Sequence, residues 1–340
     1  FRYHARDIAV KRAQLAHIPV ILGSATPSLE SMANAVSGRY GHLKLKSRAG
    51  SAKMPKIEIL DLNGLAVNDG LSAPVVGAIG DRISRGEQSL VFVNRRGFAP
   101  VVVCTECGWQ ALCPRCDARQ TLHRRTGRVI CHHCGSQASA PAKCPQCHTP
   151  GLFPAGEGTQ RVEEALVRIF PTARVMRIDS DVAGPAEEIA RALESVREHE
   201  VDILVGTQML SKGHDFADVT LVCVLSADQG LYSLDFRGPE RLSQQLAQVS
   251  GRAGRRDSPG AVLVQTSHPE SPAFARLKEH NFSGFAKEAL MEREAAGYPP
   301  YVRFALMRAE STQSGAPMTF LRSAALAGEA LSYRKAVEIM

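Results

Sequence analysis

No apolar run in the chain approaches the ~20 residues that a bilayer-crossing helix needs; the longest, such as Leu221 to Leu225 and Val101 to Cys104, are far shorter. That excludes an α-helical membrane span. Tryptophan occurs once, aromatic residues are 6% and charged residues 22% of the 340, and no internal repeat is visible. Collagen-like, coiled-coil and low-complexity architectures are excluded with them. Neither sign of charge dominates: 41 Lys and Arg stand against 34 Asp and Glu, a net +7. The balance permits a polyanionic partner without requiring one. What the chain does have is 44% hydrophobic residues, enough apolar surface for two or three domains of about 150 residues each.

Eight of the nine cysteines fall into four Cys-x-x-Cys pairs: Cys104/Cys107, Cys113/Cys116, Cys131/Cys134 and Cys144/Cys147. A disulfide framework spreads its cysteines along the chain, whereas two thiolates three residues apart aim both sulfurs at one ion. The spacing therefore predicts two structural zinc ions with no open coordination position; redox chemistry is the rival reading. Sequential, nested and crossed pairings all yield four-thiolate sites. The 14 residues between Cys116 and Cys131, with a short strand candidate at Arg128 to Ile130, favour nesting. Cys104, Cys107, Cys144 and Cys147 would then hold one zinc, and Cys113, Cys116, Cys131 and Cys134 the other. His132, His133 and His148 adjoin ligands but are surplus to them. Thiolate zinc implies a reducing compartment. Cys223, inside an apolar run, reads as a buried core thiol.

Around this segment, short apolar runs alternate with amphipathic stretches, the pattern of an α/β fold with a parallel sheet. Strands are predicted at Pro19 to Leu22, Ile57 to Leu60, Ser89 to Val93, Arg174 to Ile178, Ile203 to Val205, Thr220 to Leu225 and Ala261 to Gln265. Helices are predicted at Ser28 to Val36, Pro74 to Arg85, Arg161 to Phe170, Pro185 to Val196 and Pro239 to Val249. The cysteine-rich block interrupts the alternation as an insertion. Beyond Ser267 a small α+β domain is expected, with a strand at Val302 to Arg308 and a helix from Met318.

Three polar motifs lie at element ends. Ser24-Ala25-Thr26-Pro27 opens a helix and reads by itself as an N-cap. Gly206-Thr207-Gln208-Met209-Leu210-Ser211-Lys212-Gly213 follows a strand at the carboxyl edge of the sheet, where sites in α/β folds gather. Gln248-x-x-Gly251-Arg252-x-x-Arg255 closes a helix, and its two guanidinium groups suit an anion whose charge is spread over several oxygens. Arg95 and Arg96, in Asn94-Arg95-Arg96-Gly97-Phe98, suit backbone phosphates or a solvated loop equally. Trp109 and Phe98 read as packing residues before base-stacking ones. Arg115, Arg119, Arg124, Arg125 and Arg128 make the cysteine-rich block basic.

In this order the three motifs resemble motifs III, V and VI of superfamily 2 helicases. With the four cysteine pairs, Gly158-Thr159-Gln160-Arg161 and Arg177-Ile178-Asp179-Ser180-Asp181, the chain resembles over nearly its whole length the primosomal protein N′ (PriA) family of bacterial replication-restart helicases. Ser211 and Ala217 stand where that family's motif V usually has Ala and Pro. The resemblance implies a RecA-like second helicase lobe with a two-zinc insertion: 1–60 the tail of lobe one, 61–99 and 156–270 lobe two, 100–155 the insertion, 271–340 a partial C-terminal domain. It implies an ATP-dependent, Mg2+-requiring 3′-to-5′ DNA helicase of the bacterial cytoplasm and nucleoid. Forked and single-stranded DNA, primosome proteins and single-stranded-DNA-binding protein are its implied partners. Arg252 and Arg255 would stabilise the γ-phosphate, Gln248 would position nucleotide, Ser24 and Thr26 would link hydrolysis to DNA movement, and Thr207, Gln208 and Lys212 would line the DNA or nucleotide cleft. The sequence contains neither Gly-x-x-x-x-Gly-Lys-[Ser/Thr] nor an Asp-Glu-x-His box. Those parts are expected upstream of Phe1, and the chain alone is expected to be inactive. The competing reading is a non-enzymatic zinc-ribbon binding module on a degenerate helicase lobe.

Overall fold

The computed structural model describes residues 4–45, 54–94, 101–104, 106–107, 109, 111–115, 120–123, 127–131, 135–150, 152–155, 158–178, 186–207, 218–231, 235–254, 260–305, 307, 309, 311–313 and 315–330. In chain order these form α1 (Ala5–Ala16), α2 (Leu29–Val36), β1 (Lys56–Asp61), the two-residue β2 (Val67–Asn68) and β3 (Leu71–Ser72), α3 (Ala73–Ser84) and β4 (Gln88–Val93). The cysteine-rich block contributes β5 (Val101–Cys104), β6 (Thr121–His123), β7 (Arg128–Ile130), β8 (Gln137–Ser139) and β9 (Leu152–Ala155). Then come α4 (Gly158–Ile169), β10 (Val175–Ile178), α5 (Ala186–Arg197), β11 (Ile203–Gly206), β12 (Val219–Leu225), α6 (Gly238–Ser250), β13 (Ala261–Thr266), α7 (Pro272–Lys278), α8 (Phe282–Ala295) and α9 (Ala316–Glu329).

Two compact units result, one from 1–94 and 172–302, the other from 95–171 and 303–340. The first is built on a six-stranded sheet in the order β1-β13-β12-β4-β11-β10, every neighbouring pair parallel. Parallel sheets need both faces covered, so their central strands are apolar throughout. Accordingly β4 and β11 are buried along their whole length, and Phe92, Leu204, Val222 and Val264 join one core with Leu242 and Leu246 of α6. Cys223, between Val222 and Val224 on β12 and so facing the other side of the sheet, is fully buried, and burial pushes its thiol up to about 12, the behaviour of an inert core group. At the start of β4, buried Gln88 gives both amide hydrogens to the carbonyls of Val196 (2.8 Å) and Val201 (2.7 Å), fixing the turn after α5.

Two expected strands do not form. Residues 18–22 pair with no strand, and Ile21 is 91% exposed. An apolar tetrapeptide becomes a strand only where a sheet edge accepts its backbone, and no described edge does. The described residues between 302 and 308 likewise belong to no strand, for the same want of a ladder partner, and Phe304 is 49% exposed. The remaining predicted strands and helices form, with ends unchanged or shifted by up to three residues where both ends were predicted.

At the sheet edge, Asp202 accepts from Arg174 at its backbone N–H (2.7 Å), Nε (3.1 Å) and Nη2 (2.7 Å). The Arg174 side chain is the main cause holding this carboxyl below its usual range. A depressed carboxyl stabilises the fold above its unfolded pKa, near 4, and loses that contribution as pH falls through the lower folded value. Asp202→Asn is expected to cost about 0.5–1 kcal/mol at pH 7, discounted for partial exposure. Urea melts at pH 7 and pH 2.5 check it: the difference from the parent should shrink at the lower pH.

Candidate metal centre and arginine-motif edge

The second unit holds a five-stranded antiparallel sheet, β8-β7-β6-β5-β9. Pairing of β5 with β9 sets Cys104 opposite Leu152, which draws the first and last cysteine pairs together. The sulfurs of Cys104, Cys107, Cys144 and Cys147 all lie within 4.8 Å of one another, with Cys104 to Cys147 at 3.5 Å and Cys107 to Cys144 at 3.6 Å. A tetrahedron with zinc-to-sulfur bonds of about 2.3 Å has edges of about 3.8 Å, so the four thiolates fit zinc.

Local backbone geometry repeats from knuckle to knuckle. The N–H of Cys104, Cys131 and Cys144 donates to the carbonyl five residues on, at Trp109 (2.7 Å), Ser136 (2.8 Å) and Thr149 (2.9 Å). Gly135 and His148 each follow the second cysteine of a knuckle with φ of 73° and 59°, a left-handed corner that costs glycine little. His148 therefore turns the chain at an exposed corner and lies outside the four-sulfur cluster. The N–H groups of Gln146 (3.4 Å) and Cys147 (3.5 Å) point at the Cys144 sulfur, and Thr149 Oγ1 lies 3.1 Å from that of Cys147. The N–H of Cys107 is the largest cause holding the Cys104 thiol low, while at Cys107 the Trp109 N–H is outweighed by burial and the crowded sulfurs of Cys147, Cys144 and Cys104, which push that thiol up, the mutual repulsion that a bound cation would relieve.

Of the inner set, Cys113 and Cys131 are buried and the Arg115 N–H donates to Cys113 Sγ (3.4 Å); Cys116 and Cys134 lie outside the described residues. Trp109 packs with Leu122 and Leu152 against Val102, Ala111 and Val129. Arg115 and Arg128 are exposed, while Arg119, Arg124, Arg125 and Phe98 lie outside the described residues.

In the first unit, the Ser24 hydroxyl accepts from the N–H of Thr26 (3.0 Å), and Ser28 caps α2 by accepting from Ser31. Thr26 is buried and its Oγ1 accepts from Gln248 Nε2 (3.1 Å), so two sequence-distant motifs meet on α6. Arg252 follows at the end of that helix, partly buried, and its N–H donates to the Val249 carbonyl (2.9 Å). A Cβ on Gly260 would come within 2.5 Å of the Ala253 carbonyl carbon and the Gly254 nitrogen, so glycine is what lets the arginine turn close on the start of β13. A cavity of about 460 Å3 opens beside Thr26, Gln248, Arg252, His280 and Phe282. Thr207 is buried at the carboxyl end of β11. Arg255, Gln208, Lys212, Arg95 and Arg96 lie outside the described residues. Asp228 accepts from Thr266 Oγ1 and from the N–H of Ser267 (2.8 Å), a structural role between β12 and β13.

Sequence reasoning missed a buried ion pair. Arg293 of α8 donates through Nη2 to Glu240 Oε2 on α6 (2.7 Å), and both side chains are 5–6% exposed. No periodicity marks it, because a charged residue on a helix normally reads as solvent-facing. Close by, burial alone would raise Glu30, but its backbone N–H and Arg237 (3.1 Å) together hold it below the usual carboxylate range.

Two family models match the chain: the PriA DNA helicase Cys-rich region (CRR) domain over residues 113–138 and the helicase conserved C-terminal domain over 157–257. Sheet, arginine turn and ribbon together define a RecA-like lobe of the superfamily 2 helicase class, carrying a cysteine-rich zinc module. The chain is 44% identical over 314 residues to the replication restart protein PriA of Haemophilus influenzae, 42% over 309 to that of Bacillus subtilis and 38% over 349 to that of Synechocystis. It belongs to the PriA family. These alignments take in 92%, 90% and 99% of the chain but 43%, 38% and 42% of the relatives, so the chain spans less than half their length. No helix among the described residues is long and apolar enough to cross a membrane.

Proposed function

We propose that the chain is the second motor lobe of an ATP-driven 3′-to-5′ DNA helicase of replication restart, acting on forked and single-stranded DNA in the bacterial cytoplasm. The observation that carries this reading is the hydrogen bond from Gln248 to Thr26, which joins the Ser-Ala-Thr segment to the helix that ends at Arg252. In the reading, 61–99 and 156–270 form the lobe and 100–155 its ribbon insertion. Arg252 and Arg255 lend positive charge to a γ-phosphate gripped by a partner lobe that also supplies the magnesium carboxylates, since a dispersed phosphoryl charge is what guanidinium groups stabilise best. Gln248 orients the nucleotide, while Thr207, Gln208 and Lys212, with Arg95 and Arg96, face the cleft or the DNA backbone. Four-thiolate zinc supplies no reacting group; two such ions would hold the ribbon's shape, through Cys113, Cys116, Cys131 and Cys134 as well as the outer four. The ribbon's exposed Arg115 and Arg128 would meet phosphate, and primosome proteins and single-stranded-DNA-binding protein would join the same assembly.

In the full-length gene product, DNA-stimulated ATP turnover and fork unwinding are expected, and Arg252→Ala is expected to lower kcat by about 10³-fold or more with little change in KM. The 340-residue chain alone is expected to release no phosphate. Turnover by the chain alone, abolished by Arg252→Ala, would overturn the division of labour; absence of unwinding by the full-length product would favour a binding module.

A further inference from the structure

The polar face of α6 carries Glu240, Gln244 and Gln248 at intervals of four residues, one above the other along the helix. All three reach toward the same short segment. Glu240 Oε1 accepts from the Leu29 N–H (3.0 Å), Gln244 Nε2 donates to the Thr26 carbonyl (3.4 Å), and Gln248 donates to Thr26 Oγ1. The second oxygen of Glu240 takes Arg293, whose Nη1 donates onward to the Pro299 carbonyl (3.2 Å). On the opposite flank, Leu29 and Met32 of α2 pack against Ala286 and Leu290 of α8. One side of α2 is thus read by α6 through hydrogen bonds and another by α8 through apolar contact.

We propose that Glu240 and Arg293 form a latch that fixes the α2 segment to α6 and α8, making both of them positioning residues for the arginine turn. A helix of 13 residues is a rod about 20 Å long. A displacement of Arg252 at its carboxyl end is therefore carried to the latch at its amino end. The ion pair is sealed from water, so it holds one geometry and does not slide. Arg293 serves two acceptors with two nitrogens of a planar fork, which lysine cannot reproduce. The inference rests on the motor-lobe reading above: the latch passes the arginine movement to α2 and to the α8 flank, and does not touch nucleotide.

The test uses the full-length product with Glu240→Leu/Arg293→Met, an apolar pair of similar bulk that leaves no stranded charge. ATP consumed per base pair unwound is measured together with KM for ATP, zinc content and Tm. The expected result is a parental zinc content, a Tm lowered by the few degrees that the unpaired Leu29 N–H costs, a KM within twofold, and at least a tenfold rise in ATP consumed per base pair. Arg293→Lys should show the same defect in weaker form. A parental ratio in the folded double variant overturns the latch while leaving the motor reading intact. A parent that turns over no ATP overturns the motor reading itself. Should the double variant fold poorly, Arg293→Lys decides, because it keeps a cation beside Glu240 but cannot serve the Pro299 carbonyl as well: a raised ratio supports the latch, and a parental ratio removes it.

Discussion

Cys104→Ser is expected to remove one metal ion and unfold the outer part of the ribbon while the parallel sheet stays intact. Structural zinc contributes on the order of 10–16 kcal/mol in small metal-folded modules, more than a five-stranded sheet of three- and four-residue strands can supply from packing. The described core of that module is small: Val102, Ala111 and Val129, with Trp109 and Leu152 partly buried against them. Elemental analysis should show the metal content falling by one equivalent. Exchange of β5 and β9 amides should accelerate by orders of magnitude, whereas β4, β11 and β12 should remain protected. Cys223→Ser, deep in the sheet, should leave the metal content unchanged. An unaltered metal count in Cys104→Ser would remove the outer site from consideration.

Arg293→Met by itself is expected to destabilise the sheet-bearing unit by about 3–5 kcal/mol, because it strands the Glu240 carboxylate in a site that water does not reach. That is about a fifth or more of the stability of an ordinary domain. Glu240→Gln should cost less, since the amide oxygen still accepts from Leu29 while its nitrogen, unlike the carboxylate, meets the Arg293 donor unfavourably. Guanidinium melts with a double-mutant cycle separate the two contributions. A loss below about 1 kcal/mol for Arg293→Met would mean that the carboxylate finds another partner.

Much of this was legible before any coordinates. The strands β4, β11 and β12 announce themselves as unbroken apolar runs because both of their faces are covered, and the cysteine knuckles because metal ligation demands a fixed spacing. Pro19 to Leu22 carries the same apolar signal, yet a strand needs a partner's backbone, which composition cannot register. Glu240 and Arg293 stayed invisible for a related reason: the cost and reward of burying charge depend on what packs above it. The cavity beside Gln248 brings Thr26 together with helices that begin more than 200 residues further along the chain, a distance no local pattern spans. Among the motif residues, Thr26 and Gln248 were expected to serve one machine, but that they touch is a fact of the fold alone.

The pairing of Val101 with Ala155 bears on whether the ribbon can be removed. Entry and exit of the cysteine-rich block stand side by side, about 5 Å apart as antiparallel neighbours do, so a two-residue bridge spans the gap. The block is in effect a cassette whose two ends meet, and excising 102–154 with such a bridge is expected to leave the parallel sheet folded.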